Sequence, residues 1–362
     1  MRITSVEVVP YALPFREPYV TARGRIDRRE MALLRLRDDE GRVGFGEAVS
    51  LSMRGGALLA QVVAELEALG ERESLDEATL RDDAIGLSAP ARCAALTALL
   101  DLRGIDAARS SSQPPGERDD DRSDWVGGSR PVECNATLVS GEPQAVAADA
   151  LAWAEEGFSS FKLKLGAGDD VEQVRAVREA VGREARIRID VNAAWDVETA
   201  KRTLAEIEQF EIELAEQPVA GLEELAEVGS ATSIPIAGDE SIESCGDAEA
   251  AARVGACDFA GVKLAKVGGP EAAIEIAEVM PSYISSALDG PVGIAAAAQV
   301  AQTLDATGGD GPRLAHGLAT QRLFASTIAS VECELRDGML YPPQGPGLGV
   351  EIDEDALQAH RI

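Results

Sequence analysis

The segment Phe161-Lys-Leu-Lys164 begins a series of short apolar runs, each of which ends on a charged residue. The series continues with Ile187-Arg-Ile-Asp190, Ile212-Glu-Leu-Ala-Glu216 and Ile234-Pro-Ile-Ala-Gly-Asp239, and it closes at Lys263. The intervals between these charged residues are 26, 26, 23 and 24 residues. One strand, one helix and two turns of a parallel α/β protein need about this length. The series therefore predicts parallel strands whose carboxyl ends meet at one site.

The same alternation of strands and helices extends over residues 130–330, which we predict to form a β/α barrel. Functional residues on at least five successive strands favour a closed barrel over the alternative, an open doubly wound sheet, because an open sheet concentrates its site at one switch point. The eight strands are predicted near residues 132–138, 160–165, 187–192, 211–216, 234–239, 259–264, 282–287 and 312–316.

Three further parts of the chain are predicted around this barrel. Residues 1–108 begin with strands and continue with helices, which indicates a separate α+β domain. Residues 109–129 are rich in Ser, Pro, Gly and Asp and predict a flexible acidic linker. Residues 331–362 are expected to form an irregular C-terminal segment that returns to the N-terminal domain.

The chain of 362 residues is strongly acidic. It carries 63 acidic and 34 basic residues, a formal net charge of −29, and only five of the basic residues are lysines. Such a surface excludes nucleic acids and anionic membranes as partners, because both need a basic binding surface. The acidic residues are spread along the chain rather than gathered in one tail, which favours adaptation to high salt, as in a halophile.

Cysteine usage and the N-terminus bear on the compartment. The five cysteines include no Cys-x-x-Cys pair and lack the dense spacing of a disulfide scaffold, so we expect buried thiols in a reducing environment. The first ten residues lack the apolar core of a signal peptide, and no apolar run is long enough to span a bilayer. We therefore predict a cytoplasmic protein, and an oligomer is compatible with the sequence.

The three acidic strand ends, Asp190, Glu216 and Asp239, predict a metal site. Carboxylate oxygens favour a hard cation, so Mg²⁺ is expected, with Mn²⁺ as the alternative. The chain has two histidines, which argues against a histidine-rich zinc site. Any single acid could be a solvated strand end, but three at matching positions of a repeat favour the metal site. Asn192 shares the strand face of Asp190 and is expected to bind a substrate oxygen or orient a ligand.

Four of the five lysines form two pairs near these acids. Lys162 and Lys164 share one strand face, where mutual repulsion and burial are expected to lower the pKa of one amine so that it acts as a base. Lys263 is expected to approach a bound substrate from the opposite side, and Lys266 to lie in the following turn. The plainer interpretation is a strand end whose lysines reach toward solvent, and the scarcity of lysine elsewhere weighs against it.

These segments resemble the enolase superfamily, in its muconate-lactonizing-enzyme subgroup. Phe161-Lys-Leu-Lys-Leu-Gly166 is similar to the subgroup's Lys-x-Lys strand, and Val262-Lys-Leu-Ala-Lys-Val-Gly-Gly269 to its second lysine strand. The three metal strands of the subgroup are similar to Asp190-Val-Asn192, Glu216-Gln-Pro218 and Gly238-Asp-Glu-Ser241. The resemblance covers most of the chain and implies an α/β fold, a modified (β/α)7β TIM-like barrel with an N-terminal α+β capping domain.

The resemblance also implies the cofactor and the substrate class. Mg²⁺ would be held by Asp190, Glu216 and Asp239, and a small-molecule carboxylate substrate would bind to it. A lysine would remove the proton next to the carboxylate group. Two departures from the family pattern, Gly-Leu-Ala-Thr320 in place of Gly-Leu-Gly-Thr and Thr327 in place of an acid, leave the metal and lysine positions untouched.

Residues 284–296 and 315–320 are similar to the matching segments of o-succinylbenzoate synthases, the dehydratases of menaquinone biosynthesis. By this resemblance Lys164 removes the α-proton and returns it to the departing hydroxyl group, a syn dehydration. Lys263 would stabilise the developing negative charge from the other face. Lys162 would help to bind the anion and would lower the proton affinity of Lys164.

Further residues are expected to contact the substrate. Ser285 and Ser286 are candidates for a substrate carboxylate, although structural serines at a strand end are an equal alternative. Lys266 is a weaker candidate. The polar loop Glu17–Glu30 would cover the mouth as a lid, and its arginines, represented by Arg25, would recruit an anionic substrate or neutralise neighbouring acids.

Two other functions compete with the dehydratase. An N-succinylamino acid racemase or a dipeptide epimerase would use Lys164 and Lys263 to exchange protons on opposite faces. Dipeptide epimerases of this subgroup carry an Asp-x-Asp after the seventh strand, which Asp289-Gly-Pro291 lacks. A non-catalytic carboxylate-binding barrel would be indicated by a missing lysine or metal acid, and none is missing.

Overall fold

The N-terminal part of the chain is built on an antiparallel sheet. The computed structural model describes residues 1–21, 24–52, 55–110, 130–307 and 313–362. The first elements are β1 (Arg2–Thr21), β2 (Gly24–Asp38), β3 (Val43–Val49), α1 (Leu59–Gly70), β4 (Leu75–Asp76), α2 (Glu77–Ala84) and α3 (Ala89–Ser110). The strands lie in the order β3-β2-β1-β4. Helices α1 and α3 pack on this sheet through buried side chains that include Leu34, Leu66 and Leu99.

β1 and β2 form a long hairpin that extends beyond the other strands. Their pairing runs from Ile3 and Asp38 at one end to Thr21 and Gly24 at the other. The loop expected over residues 17–30 is therefore wrong, because most of these residues are paired strand. The arginines and acids there concealed the strand pattern, because most side chains in this part of the hairpin are exposed and polar and show no clear apolar alternation.

The hairpin is fixed to the rest of the protein by aromatic stacking. The Phe15 ring stacks on the Phe324 ring with centroids 4.9 Å apart, and on the Tyr19 ring with centroids 5.6 Å apart. Phe15 and Phe324 also form an isolated antiparallel bridge. This contact joins β1 to the far end of the barrel sequence and holds the hairpin over the barrel.

Residues 136–284 supply the strands of the barrel, after β5 (Val132–Glu133), which belongs to a separate antiparallel sheet. The barrel strands are β6 (Ala136–Leu138), β7 (Ser160–Lys164), β8 (Arg186–Asp190), β9 (Ile212–Glu216), β10 (Ile236–Gly238), β11 (Phe259–Val262) and β12 (Ser282–Ile284). Strands β6 to β12 form one parallel sheet in chain order. Sequential order in a parallel sheet is the arrangement of a β/α barrel, so the predicted fold class is confirmed.

Helices alternate with these strands. They are α4 (Pro143–Glu155), α5 (Asp170–Val181), α6 (Val197–Ile207), α7 (Leu222–Gly229), α8 (Cys245–Val254), α9 (Leu264–Val267), α10 (Pro270–Val279) and α11 (Pro291–Thr307). Side chains of Asp169, Asp196 and Ser244 cap the starts of α5, α6 and α8 by accepting backbone N–H groups. Such caps fix where each helix begins after its strand.

Among the described residues, His316 and Gly317 fill the eighth position of the barrel. His316 forms a parallel bridge with Cys134, and Gly317 forms one with Ser285, on the opposite edge of the sheet. The His316 N–H donates to the Glu133 carbonyl at 2.7 Å, and the Gly317 N–H donates to the Ile284 carbonyl at 2.8 Å. These bonds close the sheet into a barrel. The eighth strand expected at 312–316 is thus reduced to this short bridge, and residue 312 lies outside the described residues.

The C-terminal segment returns to the N-terminal sheet. Its elements are β13 (Ala329–Val331), β14 (Glu334–Arg336), β15 (Met339–Tyr341), β16 (Glu351–Ile352) and α12 (Glu354–His360). Glu354 of α12 pairs with Arg35 of β2 at 2.7 Å, and the Ile362 N–H donates to the Pro10 carbonyl at 3.2 Å. The domain boundaries themselves stay a prediction. Residues 109–110 end α3, and the rest of the predicted linker lies outside the described residues.

None of the helices in the described ranges combines the length and the apolar character that crossing a bilayer requires.

A buried acid joins the N-terminal domain to the barrel. Glu47 of β3 accepts the Tyr11 hydroxyl at 2.8 Å and the Gly290 N–H at 2.6 Å, just before α11. Burial, followed by the negative charge of Asp289, raises the pKa of Glu47 to about 7, although the hydrogen bonds from Tyr11 and Gly290 act in the opposite direction. Near neutral pH this carboxyl group therefore titrates inside the interface between the two parts.

Replacing Glu47 by glutamine is expected to flatten the pH dependence of stability. Because burial raises the pKa of Glu47 in the folded state, the group's favourable contribution is complete below the ordinary pKa and is lost as the pH rises through about 7. The free energy of unfolding of wild type should therefore fall by roughly 3 kcal/mol relative to that of E47Q between acidic pH and about pH 8. Denaturant unfolding of both proteins across this range measures the difference, and parallel curves would contradict the burial argument.

Candidate active site

Charged side chains stand at or directly after the ends of five neighbouring barrel strands. Lys164 of β7 is the register partner of Asp190 of β8, and Asp190 is the register partner of Glu216 of β9. Asp239 directly follows β10, and Lys263 directly follows β11. All five residues are buried, with 7% exposure or less. The structure therefore brings them together at the carboxyl end of the barrel.

Lys162 and Lys164 contact two of the carboxylates. The Lys162 Nζ lies 2.8 Å from the Asp190 Oδ2 and 2.6 Å from the Glu216 Oε2. The Lys164 Nζ donates to the Asp190 Oδ2 at 2.5 Å and to the Asn192 Oδ1 at 2.9 Å. Lys162 thus bridges two acids, while Lys164 is held by one acid and one amide.

Asn192 reaches this position through an uncommon backbone conformation. Its φ of 50° lies in the left-handed region, which residues other than glycine seldom adopt. Its N–H donates to the Asp190 Oδ1 at 3.1 Å, and its Nδ2 donates to the Glu240 Oε1 at 3.1 Å. The turn after β8 therefore aims the side-chain Oδ1 of Asn192 at Lys164. Backbone strain of this kind is common at functional sites.

The second lysine pair contacts the third carboxylate. The Lys263 Nζ donates to the Asp239 Oδ2 and lies 4.0 Å from the Glu216 Oε1. Lys266, in α9, donates to the backbone carbonyl of Asp239 and, at 2.8 Å, to its Oδ1. Lys263 lines the cavity at this end of the barrel, and Lys266 is absent from that lining. The structure therefore places Lys266 on the acid rather than beside a substrate.

The fifth lysine stands apart from this group. Lys201 lies on α6, pairs with Glu227 at 2.6 Å, and keeps 29% of its side chain exposed. All five lysines fall within the described residues, so four lysines of the chain are buried at the site and one lies at the surface.

The charges of the site shift one another's pKa. Burial alone would lower the pKa of Lys162 and Lys164, but the combined attraction of Asp190, Glu216 and other negative groups outweighs it, and the pKa of each amine is raised. The lowered amine pKa that we expected is thus absent from this arrangement, because nearby carboxylates outweigh the repulsion between the ammonium groups. For Glu216, burial and then the charge of Asp190 raise the pKa. A bound divalent cation would change the pKa values of these amines and carboxylates.

The three carboxylates are suited to a hard divalent cation. They are buried, they offer only oxygen donors, and they stand on successive strands. In the described residues no three acids lie close enough to hold an ion directly, because Lys162 lies between Asp190 and Glu216. The ammonium groups of Lys162 and Lys263 thus neutralise the carboxylates that a cation would share.

The cavity above these charges is lined by residues from both parts of the chain. Predicted site residues that line it are Lys162, Lys164, Asn192, Lys263, Ser285 and Ser286. Arg29, one of the arginines of the predicted lid, also lines it, and the lining residues that had no assigned role include Tyr19, Ser50, Leu51, Thr137 and Thr320. The N-terminal sheet and its following loop therefore form one wall of the cavity.

Arg25 and Arg29 lie in different surroundings. Arg25 keeps 62% of its side chain exposed, pairs with Asp27 at 3.1 Å, and is absent from the lining of this cavity. Arg29 is buried, lines the cavity, and donates from Nη2 to the Ala287 carbonyl at 2.7 Å. The period of two along β2 puts both on one face, so the sequence held no signal that separated them.

Thr320 belongs to a segment that sequence reasoning quoted without giving this residue a role. It is buried in the cavity lining, and its Oγ1 has no hydrogen-bond partner among the described residues. A buried hydroxyl without a partner is unfavourable, so a ligand oxygen would satisfy it.

Three comparisons relate this fold and site to known proteins. The family model described as enolase C-terminal domain-like matches residues 145–356. The chain is 37% identical over 237 residues to o-succinylbenzoate synthase of Thermobifida fusca, covering 62% of this chain and 69% of that protein. It is 30% identical over 382 residues to muconate cycloisomerase 1 of Rhodococcus opacus, covering 99% and 98%.

Solved structures show the same architecture. The crystal structure of a dipeptide epimerase from Cytophaga hutchinsonii, complexed with Mg and the dipeptide D-Ala-L-Val, superposes with a TM-score of 0.87. Its sequence is 26% identical, and the match covers 99% of this chain and 98% of that one. The likeness therefore extends over the N-terminal domain, the barrel and the C-terminal segment together.

Proposed function

This chain belongs to the enolase superfamily, and on that basis we propose that it is a magnesium-dependent enzyme that removes the proton next to a substrate's carboxylate group. The observation that carries the proposal is the presence of Lys164 and Lys263 in one cavity beside three buried carboxylates. The names of the similar synthase, cycloisomerase and epimerase all refer to small compounds that bear carboxylates, which supports this substrate class.

The two lysines would act from opposite walls. Lys164 ends β7 and Lys263 follows β11, four strands further round an eight-membered barrel. Lys164, held by Asp190 and Asn192, would take the α-proton once it is neutral. Lys263 would place positive charge beside the electrons left on the substrate. A bound Mg²⁺ on Asp190, Glu216 and Asp239 would supply Lewis-acid stabilisation of negative charge on the substrate carboxylate.

Within this class we propose dehydration of the o-succinylbenzoate synthase type, as in menaquinone biosynthesis. Lys164 would take the α-proton and then return it to the hydroxyl group on the neighbouring carbon, so that water leaves and a carbon–carbon double bond forms. The 37% identity to such a synthase supports this choice. Ser285, Ser286 and Thr320 line the cavity. The hydroxyls of Ser285 and Thr320 would donate to a second carboxylate, whereas the Ser286 hydroxyl donates to Asp289.

A racemase of N-succinylamino acids is the second candidate. The two lysines on opposite walls would suit removal of a proton from one face and delivery to the other. Asp289 argues against a dipeptide substrate, because its Oδ2 accepts the Ser286 hydroxyl at 2.8 Å and the Ala287 N–H at 2.7 Å. This carboxylate is engaged within its own loop rather than presented to a substrate's amino group.

Turnover of two substrates distinguishes these functions. We expect purified protein with Mg²⁺ to convert the hydroxycyclohexadiene precursor into o-succinylbenzoate, followed by the absorbance of the aromatic ring. Exchange of the α-proton of N-succinylamino acids in D₂O without dehydration would support the racemase instead. Inactivity on both, with metal bound, would overturn the enzymatic proposal and favour a binding protein.

Replacing Arg29 by methionine is expected to weaken substrate binding. Arg29 is the cavity-lining arginine of the hairpin, and loss of a charged hydrogen bond to an anionic substrate should raise KM roughly 10- to 100-fold. The matched control is Arg25→Met, which should leave KM within about twofold, since Arg25 is exposed and paired with Asp27. Steady-state kinetics measures both variants, and a larger effect in R25M would restore the role first expected for Arg25.

A further inference from the structure

A tyrosine reaches one of the site's carboxylates from inside the barrel. Tyr283, in β12, is fully buried, and its hydroxyl donates to the Glu216 Oε2. Neither the cavity lining nor the sequence motifs include Tyr283. The hydroxyl therefore acts on Glu216 from the side of the core, away from the space that a substrate would enter.

The neighbouring strand leaves room for this ring. Gly261 of β11 is the register partner of Tyr283. A Cβ atom built on Gly261 would lie 2.9 Å from the Tyr283 Oη and 3.1 Å from its Cζ, closer than side chains tolerate. Glycine at 261 and tyrosine at 283 are thus sterically matched, since a larger residue at 261 would displace the hydroxyl from Glu216.

The ring is also confined by a buried arginine and apolar neighbours. The Arg188 guanidinium carbon lies 5.2 Å from the centroid of the Tyr283 ring, a cation–π distance. Arg188 is itself fixed, since its Nη1 donates to the Ala315 carbonyl at 2.6 Å and its Nε donates to Glu213. Leu214 and Ala237 complete a small buried cluster with the ring. The position of the hydroxyl is therefore set by packing on several sides.

The two oxygens of Glu216 differ in their surroundings as a result. Lys162 contacts both oxygens, at 2.7 Å and 2.6 Å. The Oε2 also receives the Tyr283 hydroxyl, whereas the Oε1 lies 4.0 Å from the Lys263 Nζ, on the side of Asp239. The tyrosine therefore anchors the Oε2 on the core side, which leaves the Oε1 directed toward the other carboxylates.

We propose that Tyr283 is a positioning residue that orients Glu216 for a divalent cation, and that Gly261 provides the space for it. The inference rests on the proposed function only in taking Glu216 as a metal ligand. Hydrogen-bond partners of metal-ligating carboxylates commonly change metal affinity 10- to 100-fold when they are removed. Tyr283 touches neither the substrate cavity nor the reacting atoms, so its effect passes through Glu216.

Titration with Mn²⁺ in the absence of substrate tests this inference. Free Mn²⁺ is followed by electron paramagnetic resonance for wild type, Tyr283→Phe and the control Tyr341→Phe, which lies on β15 at the C-terminal segment. Y283F keeps the ring and loses only the hydroxyl, so we expect an unchanged fold and a dissociation constant about tenfold or more above that of wild type. Y341F should match wild type.

A second variant reaches the same hydroxyl by another route. Gly261→Ala keeps the tyrosine at position 283 but pushes its Oη away from Glu216. The Mn²⁺ affinity of G261A should therefore fall, as that of Y283F does. Equal affinity of Y283F and wild type, with both proteins folded by circular dichroism, would overturn the inference alone. A wild type that binds no Mn²⁺ would overturn the metal site and, with it, both this inference and the proposed function.

Discussion

Alanine at position 164 is expected to reduce turnover by about a thousandfold or more while the protein stays folded. Lys164 is the amine that we propose as the base, and removing a positioned base commonly costs two to four orders of magnitude. The fold should survive, because Asp190 keeps its contact with the Lys162 Nζ at 2.8 Å. Steady-state kinetics measures the loss, and thermal unfolding monitors the fold.

The matched control for this variant is Lys201→Ala. Lys201 is the surface lysine that pairs with Glu227, and its loss should leave turnover unchanged. Retained activity in K164A would remove Lys164 as the base. The racemase alternative gives a different pattern, since Lys263 would still exchange the α-proton of one enantiomer in D₂O when Lys164 is absent.

Removal of divalent cations is expected to lower turnover by at least about a thousandfold, and added Mg²⁺ should restore it. Lysine charge alone cannot replace a Lewis acid on the substrate carboxylate. The measurement is turnover after dialysis against a chelator, followed by titration with Mg²⁺ and, separately, Mn²⁺. Full activity after complete chelation would contradict the metal site formed by Asp190, Glu216 and Asp239.

The same experiment should leave the fold intact. Lys162 contacts Asp190 and Glu216, while Lys263 and Lys266 contact Asp239. The buried carboxylates are therefore never left without opposite charge. Far-ultraviolet circular dichroism should be unchanged after chelation, and unfolding on chelation would show that the ion is structural rather than functional.

The barrel could be predicted from the sequence because five of its successive strands carry the same signal. Between Lys164 and Lys263 a charged residue recurs at nearly constant intervals, and parallel strands put such residues at one end. The strand register then places Lys164, Asp190 and Glu216 side by side, since each pairs with the next across neighbouring strands. Local pattern and global fold agree here, so the convergence followed from spacing alone.

Other features depend on contacts that no local pattern encodes. The arginine-rich stretch around Arg25 and Arg28 predicts a loop, because its residues resemble solvated turns, whereas pairing between β1 and β2 makes it a hairpin. The predicted eighth strand is reduced to the bridges at His316 and Gly317, and its hydrogen bonds go to residues on the two edges of the sheet. Pairing of distant segments decided both cases.

Side chains in the barrel interior were equally hidden. Tyr283 and Gly261 are 22 residues apart in sequence, and only the register of β11 and β12 shows that one makes room for the other. The direction of the amine pKa shifts also needed the structure. Two lysines on one strand face predict repulsion, but the opposing carboxylates come from neighbouring strands and outweigh it.

The distribution of lysines makes the site chemically addressable. Four of the five lysines place their ammonium groups against the buried carboxylates of the site. Among the five, Lys201 alone lies on the outer face of the barrel. An amine-directed acylating reagent would therefore modify Lys201 and the chain's α-amino group first, and further adducts would report the opening of the cavity. Peptide mass mapping could then follow the site's accessibility without a chromophore, a radiolabel or an engineered tag.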